Sequence, residues 1–178
     1  MAEHEFFIID RSTPDAAAAV DLVTEGLYPG WSANRSSMRR LVTRVTMFPS
    51  VLDANAPVSY GHKTSDGRLV AAGTIREELA ASAPVVLIDT MAVALEHRRQ
   101  GIGGDMVKLF AYVAKASGAT ALGVELLTPG MDEYFARQGF VADDRLRDQL
   151  DADNYPGIEP QRQMLFLPLG EDASATNG

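Results

Sequence analysis

One short glycine-containing stretch constrains the fold of this chain more than any other feature. Arg98-Arg99-Gln100-Gly101-Ile102-Gly103-Gly104 follows an apolar run at residues 85–93 and opens a helical pattern that continues to about Ser117. The first amides of a helix lack partners within the helix and carry the positive end of its dipole. Glycines let an anion approach those amides because no Cβ stands in the way. The strand, turn and helix therefore predict a pyrophosphate-binding site.

The spacing of this stretch excludes two familiar phosphate-binding turns. A Walker loop closes with Gly-Lys-Ser/Thr, which is absent here. The dinucleotide fingerprint requires a glycine three positions after Gly103, where Met106 stands. A looser Rossmann-like nucleotide module stays open as an alternative, because Glu125 lies about the right distance beyond the glycines to bind a ribose. The spacing that fits without exception is Arg-x-x-Gly-x-Gly, at Arg98, Gly101 and Gly103.

This motif resembles the coenzyme A signature of the GNAT superfamily, the GCN5-related N-acetyltransferases. The wider stretch at residues 91–103 is similar to the strand-to-helix crossing of that family, and the predicted order βααβββαβαβ resembles its fold over about residues 5–169. The resemblance implies an α/β (α+β) fold with a central, mixed but mostly antiparallel sheet of about six or seven strands. Helices would flank this sheet, and its central strands would splay apart. It also implies acetyl-CoA as the cosubstrate.

The pattern of apolar residues and turn residues predicts the individual elements. Strands are expected at residues 6–9, 58–63, 69–75, 85–93, 121–127 and 163–167, and helices at 14–27, from about 36 to 49, 102–117 and 129–138. Residues 78–84 are expected to form a loop, and the polar stretch 143–160 a loop with some helical potential near 145–150. Residues 1–170 are predicted to form a single domain, followed by a disordered tail at 171–178.

Composition limits the partners and the chemistry. The formal net charge of −8 argues against a nucleic acid or an anionic membrane as the main partner. The chain has no cysteine, so disulfides and thiolate chemistry are excluded, and its 3 histidines lack the spacing of metal ligands, so no metal is predicted. Neither a secretory signal nor an apolar run long enough to span a membrane is present, which predicts a cytoplasmic protein.

The resemblance assigns coenzyme A binding to two groups of residues. The first would bind the pyrophosphate through amides and side chains: Arg98, Arg99, Gln100, Gly101, Ile102, Gly103 and Gly104. The second, Met91, Ala92 and Val93, would pair its backbone with the pantetheine amides, and the Met91 or Ala92 amide would face the thioester oxygen. The same three residues also fit an ordinary core strand, and both interpretations can hold together.

Two carboxylates are predicted as the general base. Asp89 is the one acid inside the apolar run at residues 85–93, where an unpaired buried carboxylate would be costly. Glu125, on the next predicted strand, is the second candidate. A structural acid with satisfied partners is the alternative at each position. Glu77 and Glu78 are expected to belong to a solvated strand end.

The general acid departs from the family pattern. Many members have a tyrosine four residues before a Gly-Phe pair, and here Gly139-Phe140 is preceded at that position by Phe135. Tyr134 lies one residue earlier, about 100° around the helix. Either Tyr134 protonates the leaving thiolate, or the thiolate leaves without a tyrosine proton, or catalysis is impaired. A packed aromatic is the structural alternative for Tyr134.

The sequence leaves two classes of function open within this resemblance. The first is an N-acetyltransferase in which a primary amine of a small molecule or peptide attacks the thioester directly. The second is a GNAT-fold domain that binds acyl-CoA for regulation with little turnover. Two aromatic turns, at residues 28–31 and 155–158, are expected to shape the acceptor pocket, and analogy with such folds suggests a homodimer.

Overall fold

The computed structural model describes residues 4–27, 35–47, 57–80, 83–126, 130–154 and 163–170. Six strands are present in these ranges: β1 (Phe6–Ile8), β2 (Val58–Lys63), β3 (Leu69–Ala80), β4 (Ala83–Val93), β5 (Ala121–Glu125) and β6 (Met164–Pro168). The α-helices in these ranges are α1 (Pro14–Leu27), α2 (Arg35–Leu41), α3 (Ile102–Ala116), α4 (Met131–Arg137) and α5 (Asp144–Asn154). Helix α2 continues into a π-helical segment (Val42–Met47). None of these described helices is both long and apolar enough to cross a membrane.

The strands form a mixed sheet in the order β1-β2-β3-β4-β5-β6. Only β4 and β5 run parallel, and the other neighbours are antiparallel. The crossover between the parallel pair contains α3, as parallel strands require. The β2–β3 hairpin turns at Gly67, whose φ of 83° suits a residue without a Cβ. The expected mixed, mostly antiparallel sheet is confirmed.

Helices cover both faces of the sheet because alternate side chains of β4 are apolar on both sides. Val86 and Ile88 pack with α3 residues in the largest core cluster, whereas Val85 and Leu87 pack with Leu150 of α5. Helix α1 packs against Ala72 and Ala92. Since Ala71 belongs to the α3 cluster, α1 and α5 lie on the face opposite α3.

The two central strands part halfway along β4. Their pairing runs from Val85↔Ala121 to Ile88↔Val124, and the remaining residues of β4, from 89 to 93, have no partner in β5. On the other side of β4, Ile75 pairs with Ile88 and Thr74 with Thr90, so Asp89 is the extra residue of a β-bulge. The splayed central strands are therefore confirmed, and the bulge lies where they separate.

Two segments that the sequence pattern predicted as loops, the second with some helical potential near residues 145–150, contain regular structure. β3 continues to Ala80 and β4 begins at Ala83, and Glu78 is buried within this hairpin with its Oε1 paired to Arg76. Residues 144–154 form α5 despite their polar composition. Leu146 and Leu150, four residues apart, are enough to attach this helix to the sheet. The predicted turns at 28–31 and 155–158, the predicted start of the fourth helix at Pro129 and the tail at 171–178 lie outside the described residues.

Candidate active site

The glycine turn presents backbone N–H groups at the start of α3. Gly101 precedes the helix with a φ of 90°, and Arg99 also has a positive φ of 62°. The first bond of the helix runs from the Asp105 amide to the Gly101 carbonyl, 3.0 Å away. The amides of the next three residues, 102–104, therefore have no partner within the helix. Three such donors at the positive end of a 15-residue helix form a suitable anion site.

A cavity of about 510 Å³ lies against this turn. Its walls combine the turn, the last residues of β4, one face of α4 and one residue of α1; the lining residues are Gly26, Met91, Ala92, Val93, His97, Arg98, Arg99, Gly101, Gly103, Gly104, Met131, Tyr134 and Gln138. The structure thus brings eight of the ten predicted cofactor residues to one place, together with Tyr134. Most of this wall is contributed by apolar side chains and backbone, as is typical of a cofactor site.

Two predicted cofactor residues do not line this cavity. The side chain of Ile102 is buried in the core between α3 and the sheet, so only its backbone is available at the turn. Gln100 is exposed, and its Nε2 donates to the Glu96 carbonyl at 3.2 Å. Because of these contacts, neither side chain contributes to the cavity wall.

Four lining residues were missed by the sequence analysis: Gly26, His97, Met131 and Gln138. A signal existed for two of them, because Met131, Tyr134 and Gln138 recur at the i, i+3, i+7 spacing of one helical face. Gly26 carries no local signal. It lines the cavity because α1 approaches β4 so closely that a Cβ on Gly26 would lie 3.1 Å from the Ala92 Cβ.

Arg98 connects the turn to the end of β4. Its Nε donates to the Val93 carbonyl at 3.0 Å. This bond fixes the position of the turn relative to the end of β4 that has no partner in β5. The donors of the turn and the free edge of β4 can therefore act on a single extended ligand.

Phe135 occupies the family's tyrosine position and Tyr134 directly precedes it. The two side chains lie in different surroundings. Phe135 is buried in the core and packs edge-on against Phe140. Tyr134 lines the cavity, and its hydroxyl lies 2.8 Å from the position that a Cβ on Gly103 would occupy. Burial raises the pKa of Tyr134 above its usual value, so its hydroxyl stays protonated at neutral pH. Tyr134, rather than the residue at the family position, is thus the one in contact with the site.

Asp89 belongs to a buried charged cluster just beyond the cavity. Its Oδ1 accepts a hydrogen bond from Arg76 Nε at 2.7 Å, and Arg76 Nη2 lies 2.7 Å from Glu78 Oε1. Glu78 is only 4% exposed, so the prediction that it belongs to a solvated strand end is wrong, whereas Glu77 is exposed as expected. Glu78 pairs through its Oε1 with Arg76 of the same strand, and a linear pattern could not reveal this buried contact.

The surroundings of Asp89 shift its acidity toward neutral pH. Burial raises the pKa of this carboxyl to about 6, Arg76 opposes the shift, and Glu78 and Glu125 add to it. Glu125 follows Val124, the last β5 residue paired with β4, so it lies opposite Asp89 where the strands part. A carboxylate of this pKa is ionised at pH 7.5 and is basic enough to accept a proton from an amine.

The residues of the cavity fit a ligand with an anionic end and an amide-bearing arm. At Gly101 of the turn a Cβ would meet no atom within 4 Å, which leaves open space there, whereas the absence of a Cβ at Gly103 lets the Tyr134 hydroxyl approach. The unpaired edge of β4 offers backbone groups to an arm that runs from the turn toward Asp89. Coenzyme A has both features in this order.

Comparison with known proteins agrees with this architecture. The chain is similar to Tetrahymena GCN5, with a TM-score of 0.66 and 13% identity over 95% of this chain and 97% of that one. It is also similar to a GNAT family acetyltransferase from Elizabethkingia anophelis with acetyl-CoA bound (TM-score 0.59, 17% identity, 94% and 99% covered). A third similar structure is a GNAT family acetyltransferase from Brucella melitensis in complex with acetyl-CoA (TM-score 0.55, 20% identity, 95% and 91% covered).

At these identities the likeness to solved structures establishes the fold alone. A search of curated proteins by sequence gives no significant match. The model of the acetyltransferase (GNAT) family, however, matches residues 27–140, which is more than half of the chain. The protein therefore belongs to the GNAT family of acetyltransferases.

Proposed function

We propose that this protein is an acetyl-CoA-dependent N-acetyltransferase, which acetylates a primary amine of a small molecule or peptide by direct attack. The observation that carries the proposal is the arrangement along β4. Its unpaired segment joins an anion site at the Val93 end to a carboxylate with a pKa of about 6 at the Asp89 end. A bound acyl donor and a general base are the two requirements of this reaction.

The cofactor would be held by the backbone. The amides of Ile102, Gly103 and Gly104 are in position to bind the pyrophosphate, and residues 91–93 to pair with the pantetheine arm. Acetyl-CoA, when bound, supplies a thioester that is activated toward nucleophiles. The acetyl-CoA in the similar Elizabethkingia anophelis and Brucella melitensis structures supports this choice of ligand.

Asp89 would act as the general base. An amine enters water-exposed sites mainly as an ammonium ion, and it becomes a nucleophile only after it loses a proton. Asp89 would take that proton, while Arg76 holds the carboxylate in place through its Nε. Glu125, across the opening from Asp89, is the second predicted base and raises the basicity of Asp89 through its charge.

Binding is the first property to measure. Isothermal titration with acetyl-CoA should show binding by the parent protein and its loss in an Arg98→Glu, Gly103→Asp double variant. Lys108→Glu provides a charge control, because Lys108 is exposed on α3 outside the cavity and should leave binding unchanged. No binding by the parent would refute the proposal.

Turnover separates the enzyme from the regulatory alternative. The assay measures thiol released from acetyl-CoA with a panel of primary amines: monoamines, diamines, amino acids and short peptides. Thiol release that depends on an amine supports the enzyme. Binding of acetyl-CoA without thiol release from any amine class would favour the acyl-CoA-binding domain.

A further inference from the structure

Helix α4 forms the wall of the cavity that faces the first turn of α3. Tyr134 and Gln138 lie four residues apart and both line the cavity. The Tyr134 hydroxyl lies 2.8 Å from the position of a Cβ on Gly103, and the Gln138 side-chain oxygen and nitrogen lie 3.5 and 3.7 Å from that of Gly104. Two polar groups are therefore placed directly over the glycines of the anion site.

The Tyr134 hydroxyl has no hydrogen-bond partner among the described residues, although this oxygen is buried. A buried polar group without a hydrogen-bond partner disfavours the folded state, because it has lost its bonds to water. Its raised pKa keeps the hydroxyl a donor at neutral pH. A protonated donor without a partner, at the edge of a cavity built for an anion, fits an acceptor oxygen of the ligand.

The position of this hydroxyl along β4 argues against contact with the reacting sulfur. The same Cβ position on Gly103 lies 3.8 Å from Val93 Cγ2, so Tyr134 reaches the Val93 end of the strand. Asp89 is four residues further along, which corresponds to roughly 13 Å in an extended strand. A thioester that reacts beside the proposed base lies toward Asp89, beyond the Met91 or Ala92 amide that the resemblance assigns to it, and the Tyr134 hydroxyl then lies at the phosphate end.

We propose that Tyr134 and Gln138 donate hydrogen bonds to the phosphates of coenzyme A, which makes Tyr134 a cofactor-binding residue and not the acid that protonates the sulfur. This inference rests on the proposed function, because it takes coenzyme A as the ligand. It replaces the sequence-based prediction that Tyr134 is catalytic. It also explains how a chain with Phe135 at the family's tyrosine position keeps a tyrosine in its site.

A sulfur-free ligand tests this assignment. Titration calorimetry would compare coenzyme A with desulfo-coenzyme A, in which hydrogen replaces the thiol, on the parent, Tyr134→Phe and Gln138→Leu proteins. A hydrogen bond to a charged group contributes about 1.5–3 kcal/mol, so Tyr134→Phe should weaken both ligands equally, by at least about 10-fold. Gln138→Leu should also weaken both. Tyr112→Phe is the matched control, because Tyr112 is 73% exposed on α3 and should change neither affinity.

Steady-state kinetics, together with the affinities, tests the alternative role of Tyr134 as the acid. If Tyr134 protonates the sulfur, Tyr134→Phe leaves the affinity for desulfo-coenzyme A unchanged, lowers kcat and removes a high-pH limb from the rate profile. That result would overturn the inference and leave the proposed function intact. A parent protein that binds neither ligand would overturn both together. Thermal unfolding of each variant checks that the fold is retained.

Discussion

Residues 89–93 of β4 have no partner in β5, and the two ends of this segment present different chemical groups to a ligand. At the Val93 end, the proposed anion site consists of backbone amides from consecutive residues, with Arg98 hydrogen-bonded to the Val93 carbonyl. At the Asp89 end, the charged side chains of Glu78 and Asp89 pair with the partly exposed Arg76. The first site uses partial charges that are fixed by the fold. The second keeps a desolvated carboxylate, which disfavours the folded state at neutral pH.

This difference separates binding from chemistry. Backbone donors bind an anion and have no protonation state to control. A buried carboxylate titrates, and its neighbours determine at which pH it is basic. We therefore expect substitutions at the two ends to affect different measurements.

The largest expected effect is that of Asp89→Asn on turnover. Loss of a general base should lower kcat/KM by about 100- to 10,000-fold, while the affinity for acetyl-CoA stays the same. In the parent, kcat/KM should rise with pH through about 6 and level off above it, because Asp89 must be ionised to accept a proton. Steady-state kinetics and calorimetry provide both measurements. Equal losses of turnover and of affinity would contradict the separation of the two ends.

The same substitution should stabilise the protein at neutral pH. Asp89 has a pKa raised from 3.8 to about 6, so the folded state retains a proton that the unfolded chain releases between these values. The stability contributed by this group therefore falls as pH rises from about 4 to 6, by about 2–3 kcal/mol. Asp89→Asn lacks this loss, and its melting temperature should exceed that of the parent at pH 7.5 and approach it at pH 4.

Arg76→Gln should act on the Asp89 end through both stability and acidity. Glu78 and Asp89 would lose the cation that they share, which is expected to cost about 2–4 kcal/mol of unfolding free energy. Because Arg76 lowers the pKa of Asp89, its removal should move the low-pH limb of kcat/KM to higher pH. Arg76→Lys retains a charge and should shift the limb less. An unchanged limb in the folded Gln variant would exclude Asp89 as the titrating base.

Gly103→Ala should act on the Val93 end alone. The new Cβ would lie 2.8 Å from the Tyr134 hydroxyl, in the space next to the anion site. We expect acetyl-CoA affinity to fall about 10-fold with no shift of the pH profile. Gly104→Ala is the graded control, because its Cβ would meet Gln138 at an ordinary 3.5 Å and should cost less affinity. Isothermal titration of both variants with acetyl-CoA measures which substitution lowers the affinity more.

The smallest expected effect is that of Glu125→Gln. Glu125 is the last of the causes that raise the pKa of Asp89, so its neutralisation should move the low-pH limb of kcat/KM only slightly downward. Turnover at pH 8 should stay close to that of the parent. A loss of turnover at pH 8 comparable with that of Asp89→Asn would instead make Glu125 the base.

Sequence reasoning was most accurate where an element is specified locally. The apolar run of β4, the turn at Gly101 and the amphipathic pattern of α3 predicted a strand, a turn and a helix, and the structure contains all three. It failed at residues 78–80, and it predicted only some helical potential near residues 145–150, where α5 forms. The pairing of Glu78 with Arg76 and the packing of Leu146 and Leu150 against the sheet are long-range or buried contacts that the polar composition does not show.

The sequence by itself determined the glycine turn, the strand before it and the helix after it, because these depend on periodicity and on local spacing. The motif at the turn also carried the resemblance to the GNAT family, which implied the mixed sheet. Only the tertiary structure showed that Asp89 is the bulged residue, that Arg76 joins it to Glu78, and that the Tyr134 hydroxyl lies at Gly103. These contacts depend on strand register and on the angle at which α4 meets α3. Both are set by long-range packing, which leaves no periodic pattern in the chain.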